Sequence, residues 1–220
     1  MKKQRRRRAD SRKLAKFVEG EDVEDPDYKN IFNSQSAIHP EFGKIVCVSV
    51  GMLVDDENGQ THCKLKSVYG DDEKQLLEDV RAILNKHIPR LPQPERNAKV
   101  LCGHNIKGFD VPYLCKRYMI HGLELPKPFK IRGLKPWQMN HLEDTMEAWK
   151  FTDFRGTAPL ELLTELFGIP SPKDALGGEH VSAAYWERND LQAIAHYCEQ
   201  DVLATARLLQ RWSGQPDFVS

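Results

Sequence analysis

AKVLCGHNIKGFDVPYLCKRYMIHG, residues 98–122, decides the architecture. Its first part, AKVLC, is a short apolar run of the kind a buried strand shows, and GHNIKG after it is a glycine turn. VPYLCKRYMI then has helical character, with Pro112 in the first turn and Gly122 just beyond the end. A strand that runs through a glycine turn into a helix start is the repeating unit of open α/β sheets, and ligand sites gather at that junction.

Working outward toward the N-terminus, KIVCVSVGMLVD (44–55) is a continuous, β-branched apolar run that predicts a central strand. The turn cluster Asp55–Gly59 and the alternating QTHCKLKSVYG (60–70) complete a hairpin. DDEKQLLEDVRAILNKHI (71–88) places Leu76, Leu77, Val80, Ile83, Leu84 and Ile88 at helical spacing, and the Pro-rich stretch 89–94 closes that helix. Toward the C-terminus, residues 123–138 read as a loop and MNHLEDTMEAWKF (139–151) as a last strand with its exit. PLELLTELFG (159–168) is a short helix ended by Gly168, and IPSPKDALGGE (169–179) is a loop. DLQAIAHYCEQDVLATARLLQRW (190–212) is the longest helix, apolar at Leu191, Ile194, Ala195, Cys198, Val202 and Leu209. The order predicts an α/β protein in which an antiparallel hairpin feeds a partly parallel sheet.

The 220 residues, 40% apolar and 9% aromatic, fit one domain with a full core, expected over 41–213 behind a polar segment, 1–40. No stretch approaches the roughly 18 apolar residues of a membrane span, and no apolar leader is visible, so a cytoplasmic location is expected. With 32 basic and 32 acidic residues the net charge is zero, and any contact with nucleic acid must use a local patch. Residues 2–16 hold nine Lys or Arg against one Asp, whereas EGEDVEDPD (19–27) is strongly acidic. The run KKQRRRR reads as a solvated helix or linker, with a nucleic-acid or localisation arm as the alternative, and Lys13–Val18 as a short helical segment. Five widely spaced cysteines (47, 63, 102, 115 and 198) lack zinc-ligand spacing and are expected as reduced, buried or half-buried thiols.

Two segments carry candidate chemistry. In GHNIKGFD (103–110), His104, Asn105, Phe109 and Asp110 crowd one turn, although locally Asp110 also reads as a cap of the next helix and His104 and Asn105 as polar turn residues. In HYCEQD (196–201), Tyr197 and Asp201 are four apart and share one helix face, with His196 as a rival base. A phenol beside a metal-ligating carboxylate can orient a water for attack on phosphorus. The local alternative is an exposed helical Asp with a half-buried Tyr. A third feature, Lys127, Phe129, Lys130, Arg132, Lys135 and Trp137, interleaves bases with aromatics in a way that suits single strands, or is an ordinary loop. Asp144 could lean toward the site without being expected as a ligand.

Together GHNIKGFD and the Tyr-x-x-x-Asp of YCEQD resemble the second and third blocks of DEDD 3′→5′ exonucleases of the tyrosine subtype. They are similar to the proofreading domain of family-B DNA polymerases, and in particular to a stand-alone bacterial group of predicted exonucleases related to it. EFGKIVCVSVGM, HLEDTMEAWKF and LFGIPSPKDALGG add to the likeness, which spans residues 35–212. The resemblance implies a ribonuclease H-like mixed sheet flanked by helices, and phosphodiester hydrolysis with two Mg²⁺ or Mn²⁺ ions about 4 Å apart. It implies Asp110 and Asp201 as metal ligands, Tyr197 as the residue that positions the attacking water, and Phe109 packed against the terminal nucleotide. His104 and Asn105 would line the same pocket, and a single-stranded DNA 3′ end is the implied substrate, with RNA as an alternative.

The family pattern opens with Asp-x-Glu at the end of an apolar first strand that is central in the sheet, and no such strand is expected before residue 44. Asp22-Val23-Glu24 has the letters but no apolar run before it, and reads as a solvated acidic loop. Two carboxylates are few for two hard cations. A late start codon, a truncation and a catalytically inactive nucleic-acid-binding or regulatory relative are the competing expectations, and the first is favoured.

Overall fold

The computed structural model describes residues 36–88, 100–153, 155–170 and 181–219. The basic and acidic N-terminal runs, Lys13–Val18, Asp22-Val23-Glu24, the Pro-rich stretch 89–94 and most of the 169–179 loop lie outside the described residues. The chain divides into two units, Met1–Lys44 and Ile45–Ser220. In the first, a 3-10 turn, Ser36–Ile38, leads to a tight turn in which the His39 carbonyl accepts from the Phe42 and Gly43 N–H groups at 3.0 and 2.8 Å.

The second unit opens with the expected hairpin. Strand β1 (Cys47–Asp55) pairs antiparallel with β2 (Thr61–Tyr69), in register from Cys47 opposite Tyr69 to Asp55 opposite Thr61. Asp56 builds the turn, its carboxylate accepting from the Asn58 and Gln60 N–H groups at 2.9 and 2.8 Å. β1 begins three residues later than Lys44, because the Ile45 N–H donates to Glu73 Oε1 at 2.9 Å instead of joining a ladder.

Helix α1 (Glu73–His87) starts at Asp72, whose side chain accepts from the Gln75 N–H, and buries Leu76, Leu77, Val80 and Leu84. These residues meet Ile45, Val111, Tyr118, Phe129 and Leu142 in the principal core, with Val48, Val68 and Leu101 packed against it. The Tyr118 hydroxyl donates to the Leu77 carbonyl at 2.6 Å, and Tyr118 is fully buried. At the end of α1 nearest β1, the Glu73 carboxylate takes hydrogen bonds from Arg117 Nε at 2.8 Å, from Arg117 Nη2 and from His121 Nε2 at 2.8 Å. Both Arg117 and His121 belong to the C-terminal end of α2 (Asp110–Ile120) and the residue after it, so this network ties α1, α2 and the start of β1 together.

β3 (Leu101–Gly103) pairs in parallel with β4 (Leu142–Asp144), from Leu101 opposite Leu142 to Gly103 opposite Asp144. Among the described residues each sheet is two-stranded, and β1 and β3 do not pair with one another. The stretch 139–151 is not the longer strand expected from sequence. Only three residues are extended, and α3 (Thr145–Lys150) follows at once, because the Asp144 carboxylate accepts from the Met146 and Glu147 N–H groups and turns the chain into a helix.

Short helices α4 (Leu160–Leu166) and α5 (Val181–Trp186) precede the long α6 (Leu191–Trp212), capped by the Asp190 side chain on the Ala193 N–H. α6 lies along the hairpin because β1 and β2 present small residues to it. Gly51 stands so close to Val202 that a Cβ there would sit 2.7 Å from Val202 Cγ1. Ser49 and Ser67, opposite one another in the register, share a hydrogen bond of 2.7 Å, and Ser67 donates to Glu199 Oε1 at 2.5 Å. Cys47 meets Cys198 through a thiol hydrogen bond. The alternate positions 47, 49 and 51 therefore form a shallow bed for one stripe of α6, and the expectation of half-buried free thiols holds for all five cysteines. Among the described residues no helix is long and apolar enough to cross a membrane. The mixed α/β arrangement is that expected of a ribonuclease H-like exonuclease domain.

Candidate functional site

The loop after β3 is shaped by its two glycines. A Cβ on Gly103 would lie 2.7 Å from Ile106 Cβ, and one on Gly108 would lie 2.4 Å from Asn105 Oδ1. Both positions thus require the missing side chain for the chain to fold back on itself. Asn105 adopts φ 62°, a left-handed conformation that Asn tolerates better than most residues, and its carbonyl accepts from the Gly108 and Phe109 N–H groups.

The loop is fastened from β4. Asp144, only 3% exposed, accepts from the Asn105 N–H on Oδ1 at 2.9 Å and from the Lys107 N–H on Oδ2 at 3.1 Å, besides capping α3. His104 is fastened as well. Its Nε2 lies 2.9 Å from the Ala158 carbonyl and its Nδ1 2.9 Å from Thr145 Oγ1. A carbonyl can only accept, so Nε2 carries the proton and Nδ1 accepts from the threonine hydroxyl. Burial lowers the His104 pKa, with the Ala158 hydrogen bond and the Asp144 charge opposing it, so the ring is neutral at pH 7.

Asp110 is the first residue of α2, not its cap. The capping position belongs to Phe109, which makes no side-chain capping bond, so the local expectation that Asp110 caps the helix is corrected. Although Asp110 is solvent-accessible, the protein packed around its carboxyl group strips enough water to push the pKa up to about 6. Its own N–H opposes that rise, and the charges of Asp144 and Asp201 add to it. Phe109 is 41% exposed, and its ring stands 5.5 Å from that of Tyr113.

From α6, Tyr197 donates a hydrogen bond to the Asp201 carboxylate, as their spacing of one helical turn allows. Burial raises the Tyr197 pKa, and the charge and hydrogen bond of Asp201 raise it further, so the phenol keeps its proton. Burial also raises the Asp201 pKa. The Tyr197 hydrogen bond opposes this, and the nearby charge of Glu161, on α4, reinforces it. His196 points to solvent on the exposed side of α6. The structure therefore brings Asp110 within electrostatic reach of Asp144 and Asp201, and Asp201 within reach of Glu161. Glu161 was not singled out from the sequence, where it is one of several acids at a helix start.

Of the six residues singled out in the basic-aromatic stretch 127–137, only Phe129 is built into the core, whereas Lys127, Lys130, Arg132, Lys135 and Trp137 are exposed. Phe129 is buried, His141 Nε2 bonds the Pro128 carbonyl at 2.9 Å, and Lys130 is bonded to Glu124. Trp137 alone among its aromatics is exposed. An open groove of about 470 Å³ lies elsewhere, lined by residues 66–69 of β2 and by Asp79, Ala82 and Ile83 of α1. Among the described residues no group of three His, Cys, Asp or Glu converges closely enough to hold a metal ion. The donor chemistry of Asp110 and Asp201, hard oxygens whose charges repel, is nonetheless of the kind Mg²⁺ or Mn²⁺ takes.

A family model described as a predicted 3'-5' exonuclease related to the exonuclease domain of PolB matches residues 37–213. No curated protein matches the chain.

Proposed function

The chain belongs to the family of predicted 3'-5' exonucleases related to the exonuclease domain of PolB, and from that membership we propose that residues 41–213 form a metal-dependent exonuclease domain of the DEDD tyrosine subtype. It removes nucleotides from the 3′ end of single-stranded DNA in the cytoplasm, and residues 1–40 are an appended polar segment. The observation that carries this reading is the raised pKa of Asp110, caused by burial and by the charges of Asp144 and Asp201. Asp110 feels the charges of Asp144, at the end of β4, and of Asp201, on α6, and a divalent cation would relieve that cost.

Asp110 and Asp201 are the residues that would hold Mg²⁺ or Mn²⁺, which when bound supplies Lewis-acid activation of the scissile phosphate. Tyr197 keeps its proton, so it orients the attacking water as a neutral phenol and does not serve as the base that deprotonates it. Phe109 offers a partly exposed ring on which the terminal base stacks. His104 and Asn105 shape the wall of the same pocket; both His104 nitrogens are already bonded to protein, so its contribution is through the ring face.

The test is a labelled single-stranded oligonucleotide incubated with the full chain and Mn²⁺. Shortening from the 3′ end, abolished in both Asp110→Ala and Asp201→Ala, is the expected result. Undiminished activity in both variants would exclude these residues. Binding of the oligonucleotide with no cleavage would favour the inactive nucleic-acid-binding relative, and faster cleavage of a matched RNA would reassign the substrate.

A further inference from the structure

We propose that Asp144 is a positioning residue, a clamp that holds the backbone of Asn105 and Lys107 against the start of α3 and so delivers Phe109 and Asp110 to the site. It rests on the exonuclease reading only for what those two delivered residues do. By residue type and location Asp144 would be taken for a further ligand in an acidic cluster. Its hydrogen bonds assign it other work.

The carboxylate is buried and accepts from four backbone N–H groups. Oδ1 takes those of Asn105 at 2.9 Å, Met146 at 3.0 Å and Glu147 at 3.3 Å, and Oδ2 takes that of Lys107 at 3.1 Å. Two of the donors belong to the loop after β3 and two to the first turn of α3. Each carboxylate oxygen has about two lone-pair directions, so Oδ1 is fully taken up by backbone N–H groups while Oδ2 holds one. The bonds to Asn105 and Lys107 span 39 and 37 residues of sequence, and they act on the most constrained part of the loop. Asn105 is held at φ 62°, and the following turn to Gly108 and Phe109 hangs from its carbonyl. The neighbouring Thr145 adds a second tie through His104 Nδ1 at 2.9 Å. The end of β4 and the first residue of α3 therefore fix the loop at Asn105 and His104, five and six residues before Asp110 leaves it.

Capping and clamping can be separated. Asp144→Ser keeps a single oxygen able to cap α3 but too short to reach Lys107 as well. Asp144→Asn keeps Oδ1 for Asn105 and the cap while presenting an NH₂ to the Lys107 N–H. The full chain and both variants are compared by amide hydrogen exchange over residues 103–110, by thermal melting, and by cleavage of the labelled oligonucleotide with Mn²⁺. In Asp144→Ser, exchange over 103–110 should rise about tenfold or more with α1 and α6 unchanged and melting little altered, because only a local opening is made easier. The turnover number should fall by about a hundredfold, the order expected of a misplaced reacting group. Asp144→Asn should fall between the two. Unchanged exchange over 103–110 in Asp144→Ser overturns the clamp, as does freed exchange with turnover intact. A wild-type chain that does not cleave counts against the exonuclease reading, and the exchange measurement then still decides whether the clamp exists.

Discussion

The Tyr197 phenol stands one turn before the Asp201 carboxylate on α6, and its hydrogen bond draws the Asp201 pKa down against a burial that raises it. Removing the hydroxyl in Tyr197→Phe should let the Asp201 carboxyl titrate higher, read by carboxyl-carbon NMR. Stability should change by no more than about 1 kcal/mol, since one partly buried hydrogen bond is lost. Cleavage should slow by about a hundredfold if the phenol orients the attacking water. An Asp201 titration that does not move would show that the bond is not formed in solution.

Asp110 has the opposite relation to stability from an ordinary salt-bridged acid. Its folded pKa, about 6, lies above the unfolded value of about 3.9. Between those values the native state holds more protons than the unfolded state, so stability falls as pH rises through this window and stays lower above it. Asp110→Asn removes that loss. The variant should be more stable than wild type at pH 7.5 in metal-free buffer, by about 1 kcal/mol because solvent screens an exposed carboxyl. The gain should vanish near pH 4, where both forms are neutral. Melting both proteins at the two pH values checks this, and an equal difference at both would sink it.

Glu73 behaves as the counterpart. Burial pushes its pKa up, but hydrogen bonds from Arg117, the Ile45 N–H and His121 outweigh burial and hold it below the ordinary carboxylate range. Its stabilisation is therefore fully present above the unfolded pKa of about 4.3 and lost as pH falls through the depressed folded value. Glu73→Gln takes the Glu73 charge away from the buried Arg117 and should cost about 3–5 kcal/mol in urea unfolding at pH 7. The deficit should shrink below about pH 4, as wild type itself loses the charged group. A deficit independent of pH would assign the cost to packing alone.

What was legible in the sequence was what repeats locally. The hairpin, α1 and α6 show their periods over nine or more residues. Asp110, Tyr197 and Asp201 were named from the resemblance of two short blocks, and the roles given to them are proposals. The length of β4 was not, because three extended residues leave no period, and the capping carboxylate of Asp144 ends the strand. Glu73 looks like a first-turn acid on a solvated helix. Its partners lie 28, 44 and 48 residues away, beyond any local pattern. Phe129 was grouped with exposed aromatics because bases surround it in sequence, yet its ring completes the principal core. The run CVSVGM reads as uniformly apolar, whereas the fold uses its alternate small residues as a bed for α6.

That bed gives the last prediction. A Cβ at position 51 would meet Val202 Cγ1 at 2.7 Å, with Cys63 Sγ at 3.1 Å and Leu65 Cδ2 at 3.4 Å beside it. Val202 follows Asp201, so the spacing between β1 and α6 at this point also sets the depth of that carboxylate. Gly51→Ala should push the helix outward and cost about 1–3 kcal/mol, the usual penalty for an added methyl in a packed interface. Val202→Ala alone should cost a similar amount by leaving a gap. Combined, the new methyl occupies the space the old ones vacate, and the double variant should be more stable than the sum of the two losses by about 1 kcal/mol or more. Urea unfolding of the four proteins measures that coupling. Strict additivity would mean that α6 does not rest on Gly51, whereas recovery of both stability and 3′-end cleavage in the double variant would tie the depth of Asp201 to the absence of a side chain at residue 51.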